Sequence, residues 1–164
     1  MSPVLQGAAY DVAAQVTDPE MPMLTLADLG VLRDVVEDAG RVVVTITPTY
    51  SGCPAMASMR DDLVRRLQEH GWADVEVRVS LTPAWSSDWI SERGRAALLA
   101  HGLSAPGPSP TGPVLLNLLA SRREVDCPRC GAPGEVVSEF GPTACTALYR
   151  CGSCLETFQH VKEI

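Results

Sequence analysis

Two cysteine pairs, Cys127-Pro-Arg-Cys130 and Cys151-Gly-Ser-Cys154, stand twenty residues apart, the spacing of a four-thiolate tetrahedral metal knuckle. Two residues between cysteines form a tight turn that aims both sulfurs at one point. Gly131 and Gly152 supply the backbone freedom such turns need. The stretch between the pairs is long enough for a hairpin that returns the second pair to the same ion. A segment of about 40 residues has too little interior to hold itself together. A structural zinc contributes roughly 10–16 kcal/mol of apparent binding free energy, which becomes folding free energy. We therefore expect Cys127, Cys130, Cys151 and Cys154 to bind zinc, the alternative being disulfides or small apolar fillers. Iron also accepts tetrahedral thiolate, so spacing leaves the metal's identity open.

A second thiol sits elsewhere. Cys53 lies in Thr49-Tyr-Ser-Gly-Cys53-Pro54, ahead of a predicted helix whose positive end and free amides favour thiolate. Cys53 is therefore a candidate reactive thiol or ligand for a labile iron–sulfur species; a buried cysteine acting as a small hydrophobe is the competing reading. Asp18, Glu20 and Asp28 cluster around the first loop and are read as solvated charges rather than partners of Cys53 on a metal. Trp85 and Trp89, with Asp88 between them, read as a lid on the core, the alternative being a partner-binding edge. Cys145 is a fifth cysteine in the C-terminal segment and is read as filler. His160 is expected at the surface, and His70 and His101 at helix C-termini, where histidine favours the dipole. No Ser-His-Asp set, phosphate-cradling glycine loop or HExxH motif is present, so the reading is a non-catalytic accessory component rather than an independent enzyme.

The elements that must position these residues follow from periodicity. Residues 3–16 read as an amphipathic helix capped by Ser2, with Pro3 in its first turn and Val4, Ala8, Val12 and Val16 on one face. Asp18-Pro19 ends it, and Thr25 to Gly30 reads as one helical turn. Val31 to Glu37 and Arg41 to Thr47 form a hairpin about Asp38-Ala-Gly40, the run Val42 to Ile46 being β-branched throughout. A helix from Pro54 to His70 buries Met56, Met59, Leu63, Val64 and Leu67. Asp74 to Leu81 alternates as a strand, and Ser91 to His101 is helical. Fold class is thus α+β: residues 1–103 form a small two-layer domain with a mixed three-stranded sheet, and residues 124–164 a four-cysteine zinc ribbon. Pro106, Pro108, Pro110 and Pro113 mark 104–123 as a linker, which Val114 to Ala120 would dock onto one domain.

Net charge is −7. Residues 1–120 carry 8 basic and 14 acidic groups, and the remainder 5 and 6. A ribbon at −1 without a basic stripe has little to offer phosphate, so nucleic acid is not an expected partner. No apolar run approaches the ~20 residues of a membrane span, and no membrane is expected. Thiols at metal spacing and no signal-like start point to a reducing cytoplasm.

Several of these motifs are familiar together. Asp18-Pro-Glu20, Asp28-Leu-Gly30, Pro48-Thr-Tyr-Ser-Gly-Cys53-Pro54 and Pro83-Ala-Trp85 resemble the small domain of cytosolic iron–sulfur assembly factors. With Ser87-Asp-Trp89-Ile-Ser91 and Glu139-Phe-Gly-Pro-Thr-Ala-Cys145-Thr-Ala-Leu-Tyr-Arg-Cys151, the chain resembles the PaaD (also PaaJ) components of the phenylacetyl-CoA epoxidase system. The resemblance implies an accessory role in aerobic phenylacetate breakdown: maturing a metal centre such as the iron–sulfur cluster of the reductase component, with Cys53 as the family's thiol and a transient cluster as cargo. It implies the other epoxidase subunits as partners and is compatible with a homo-oligomer. Pro142 and Thr146 depart from the Ser and Lys often seen there, and the end of the chain lacks a further cysteine. An electron-transfer protein with a rubredoxin-like iron site and a purely structural component are the other classes. Colour separates zinc from iron at once.

Overall fold

The computed structural model describes residues 7–109 and 125–164. The expectations for Ser2, Pro3 and Val4 and for the Val114 to Ala120 run lie outside these residues. They form two compact units, one comprising 7–85 and 89–94, the other 86–88, 95–109 and 125–164.

In the first unit α1 (Ala8–Ala13) is followed by β1 (Leu32–Asp38), β2 (Arg41–Ile46), α2 (Met56–Glu69) and β3 (Asp74–Val79). The sheet order is β1-β2-β3, with β1 antiparallel and β3 parallel to β2. The mixed sheet thus matches expectation. Period-two alternation puts Val42, Val44 and Ile46 on one face, all fully buried. Against that layer α2 turns Met59, Leu63 and Leu67, spaced four apart, also buried. Each such side chain contributes roughly 1.5–3 kcal/mol when removed from water. Met56 and Val64 are only half-buried, at the margin of the stripe. The opposite face of the sheet is charged: Arg41 pairs with Asp74 and Glu76, and Arg78 with Glu76. The Arg78 and Arg41 guanidiniums hold the half-buried Glu76 carboxyl down at about 2.

The motif Asp28-Leu29-Gly30 is the knot of this unit. Asp28 accepts hydrogen bonds from Ser91 Oγ at 2.8 Å, Arg93 Nε at 2.9 Å and Thr25 Oγ1 at 2.9 Å. Burial alone would raise its carboxyl; the Ser91, Thr25 and Arg93 donors bring it below the ordinary value. The stabilisation is therefore complete above the ordinary carboxyl pKa and is lost as pH falls through the lowered one. Leu29 O accepts from Trp85 Nε1 at 2.8 Å. Gly30 has φ +69, and a Cβ there would stand 2.5 Å from Trp89 Cβ, so only glycine admits both the turn and the tryptophan.

Helix α3 (Glu92–Ala100) begins in the first unit and continues into the second. There β4 (Leu103–Ser104), β5 (Val125–Asp126), β6 (Pro133–Ser138), β7 (Thr146–Cys151) and β8 (Thr157–Val161) form a sheet ordered β4-β8-β7-β6-β5. The β6–β7 hairpin fills the interval between the cysteine pairs, as their spacing requires. Its small core comprises Val125, Cys127, Ala147, Tyr149, Cys151 and Phe158, with the Tyr149 and Phe158 rings stacked at 5.8 Å. Leu103 and Ser104 pair in parallel with Gln159 and His160, a strand that periodicity does not reveal. Among the described residues no helix is long and apolar enough to cross a membrane.

Candidate metal centre and reactive thiol

The strand β5 leads directly into Cys127, and β7 ends on Cys151, so each knuckle is the turn between neighbouring strands. In the first, Gly131 N donates to Cys127 O at 2.8 Å and Cys127 N to Ala132 O at 2.9 Å. Gly131 has φ +74, the left-handed value that the turn demands. The second knuckle differs from expectation. Gly152 has no positive φ; the left-handed position after the last cysteine is Leu155, at φ 63. Leu155 is the positional equivalent of Gly131, and a left-handed non-glycine costs about 1–2 kcal/mol. Because its side chain is exposed, Leu155→Gly is expected to raise stability by about 1 kcal/mol, read as a higher chemical-denaturation midpoint; a lower midpoint contradicts it.

The four ligand sulfurs all lie within 4.8 Å of one another. Cys127 Sγ stands 3.8 Å from Cys154 Sγ, and Cys130 Sγ 3.5 Å from Cys151 Sγ. A disulfide needs about 2.05 Å, and all six cysteines are unbridged. Four sulfurs at about 2.3 Å from a tetrahedral ion would be about 3.8 Å apart, so the spacing suits a thiolate-bound metal. The backbone amides of Cys154 and Ser153 donate to Cys151 Sγ, both at 3.4 Å, and draw its pKa down to about 6. For Cys154 the Glu156 amide favours thiolate, yet desolvation and the crowding thiols of Cys151, Cys130 and Cys127 push it up to about 12. One thiolate is comfortable in this quartet and further ones repel; a cation removes that repulsion. The donor set fits zinc or iron equally.

Cys145 is buried outside the quartet, its Sγ 3.2 Å from Thr143 Oγ1. His160 corrects the expectation of a surface residue. It is 4% exposed, with Nδ1 3.1 Å from Ser104 Oγ, Nε2 3.3 Å from Glu163 and its ring edge-on to Tyr149. The signal was available: Phe158 and His160 share one face of β8. Helix-end histidines behave as expected, His70 and His101 each placing Nδ1 2.8 Å from the carbonyl four residues earlier.

In the first unit, Cys53 is half-buried in the loop between β2 and α2. The helix starts at Met56 rather than Pro54, so the thiol lies a turn ahead of it, with Cys53 N donating to Tyr50 O at 3.2 Å. Strands β2 and β3 are parallel, so the loops that follow them emerge at the same end of the sheet. Ser80 N donating to Ile46 O at 2.9 Å ties their starts together, and the second loop exposes Leu81. Among the described residues no group of three or more metal-binding side chains includes Cys53. Asp18 and Asp28 are buried, correcting the expectation of solvated charges, whereas Glu20 is exposed. Asp18 instead accepts from the Glu20 and Met21 amides at 2.7 and 2.8 Å. Burial raises its pKa against those two bonds. Trp85 is 5% exposed and Trp89 half-buried beneath the Arg33 guanidinium at 3.7 Å, the core-lid arrangement.

Residues 8–86 match the model of an iron–sulfur cluster assembly protein, and residues 112–162 that of the PaaD zinc beta ribbon domain. A protein of Escherichia coli named as the D component of 1,2-phenylacetyl-CoA epoxidase is 40% identical over 154 residues, covering 93% of this chain and 90% of its own. The chain belongs to this PaaD family. An iron–sulfur protein maturation auxiliary factor of Bacillus subtilis is 31% identical over 51% of the chain and 83% of its own length. The crystal structure of a DUF59 domain of unknown function from Bacillus anthracis superposes with a TM-score of 0.50 at 29% identity, over 55% of this chain and 86% of that one. PaaD membership thus combines an iron–sulfur-assembly-type domain with a ribbon, as the sequence motifs imply.

Proposed function

We propose that the chain is a cytoplasmic maturation factor for the phenylacetyl-CoA epoxidase system, with the iron–sulfur cluster of the reductase component as its cargo. The carrying observation is Cys53, half-buried on a loop at the open end of a parallel strand pair and separate from the metal quartet. A thiol placed there can take part in a transient cluster while exposed Leu81, at the same end of the sheet, offers apolar contact to a client. The relationship to maturation auxiliary factors supports this use of the first unit. Cys127, Cys130, Cys151 and Cys154 hold a zinc ion in this reading, which makes the ribbon rigid enough to present a docking surface. In this reading the first unit handles cargo and the second docks.

The test is the state of the client. In a strain lacking this chain, the reductase component is expected to accumulate with its iron and acid-labile sulfide reduced several-fold. Chemical reconstitution in vitro should restore both. A reductase with full cluster content in that strain overturns the proposal.

A further inference from the structure

We propose that the free edge of β3 is a self-association surface, pairing antiparallel with β3 of a second copy to join the two three-stranded sheets. The strand is the last in its sheet, and among the described residues nothing pairs with its outer side. Its backbone polarity is fixed by Ser80 N donating to Ile46 O: even-numbered residues turn their amides and carbonyls toward β2. Val75, Val77 and Val79 therefore turn theirs outward. Natural edges are usually blunted by proline, lysine, a bulge or unmatched charge. The opposite edge, β1, has a bulge between Leu32 and Asp34 and carries Asp34, Glu37 and Asp38. Residues 74–79 have no lysine, proline or bulge.

Antiparallel pairing requires outward-facing residues to meet one another. A two-fold axis at Val77 does this, setting Val77 against Val77, Val75 against Val79 and forming roughly six main-chain hydrogen bonds. It also sets Glu76 of each copy against Arg78 of the other, in the closer-approaching non-hydrogen-bonded positions. Moving the axis to Glu76 opposes two glutamates; moving it to Arg78 opposes two arginines. Charge thus favours the Val77 register over both of these, and it alone pairs Glu76 with Arg78. In that register Val79, 47% exposed in the single chain, gains Val75 of the second copy on the same face. A groove of about 560 Å³ runs along this edge, between Asp74 to Val77 and the Ala57, Arg60, Asp61 and Val64 side of α2, and gives the second copy's side chains room.

Sedimentation of the full-length chain tests the proposal. The wild type is expected to show a concentration-dependent dimer. Glu76→Arg and Arg78→Glu should each weaken it roughly tenfold or more, since like charges replace both opposite-charge pairs. Arg78 is exposed and Glu76 half-buried at the sheet surface, and circular dichroism of each variant should be unchanged. An equimolar mixture of the two variants should dimerise again, because every cross-strand pair is then opposite in sign. That rescue cannot come from pairing within one chain. A wild type that is monomeric at every concentration, including one that sediments only with another protein, overturns the proposal, as does a mixture that fails to associate.

Discussion

Replacing Cys127 with serine is expected to release the metal and unfold the ribbon. Cys127 is nearly fully buried, belongs to the small core with Val125, Tyr149 and Phe158, and lies in the four-sulfur group. A few aliphatic and aromatic side chains cannot offset the conformational entropy of the segment, about 1–2 kcal/mol per residue for the backbone alone. The metal supplies the difference, on the order of 10 kcal/mol, and a three-ligand site retains only part of that. Wild-type protein should contain about one zinc per chain and be colourless, whereas a ferric four-thiolate site would absorb visible light. The variant should lose most of its zinc and become sensitive to proteolysis across residues 125–161. Full zinc stoichiometry with undiminished protease resistance would falsify the structural role of the site.

The second large effect is on function with the fold intact. Cys53→Ser changes one atom in a half-buried loop residue outside the packed layer of Val42, Val44, Ile46, Leu63 and Leu67. Denaturation midpoint and zinc content should therefore be close to wild type. Cluster content of the reductase and growth on phenylacetate should fall to the level of a strain without the protein, because a hydroxyl cannot replace thiolate toward iron. Normal growth of the Cys53→Ser strain would remove the cargo role and leave the chain as a structural component.

The features legible in the sequence are those set by local chemistry. The β-branched run Val42 to Ile46, the four-residue spacing along α2 and the two short cysteine intervals each fix an element without reference to anything distant. What escaped depends on neighbours remote in the chain. Asp28 reads as a loop carboxylate until Ser91 and Arg93 arrive some sixty residues later. His160 reads as surface until Ser104 pairs alongside it. The left-handed residue of the second knuckle falls on Leu155 rather than a glycine, so a search for glycine there selects Gly152 instead. The start of α2 slipped by two residues because Pro54 suits a first helical turn as well as the tight turn that precedes it.

The metal quartet is asymmetric toward solvent: Cys127 and Cys151 are buried, whereas Cys130 and Cys154 are exposed. Each knuckle thus contributes one buried and one exposed cysteine. With a metal held by all four, a chelator or oxidant would meet Cys130 and Cys154 first, and Cys127 and Cys151 would be the last to let go. Metal release would then proceed in steps, a kinetic protection that equilibrium affinity alone does not describe.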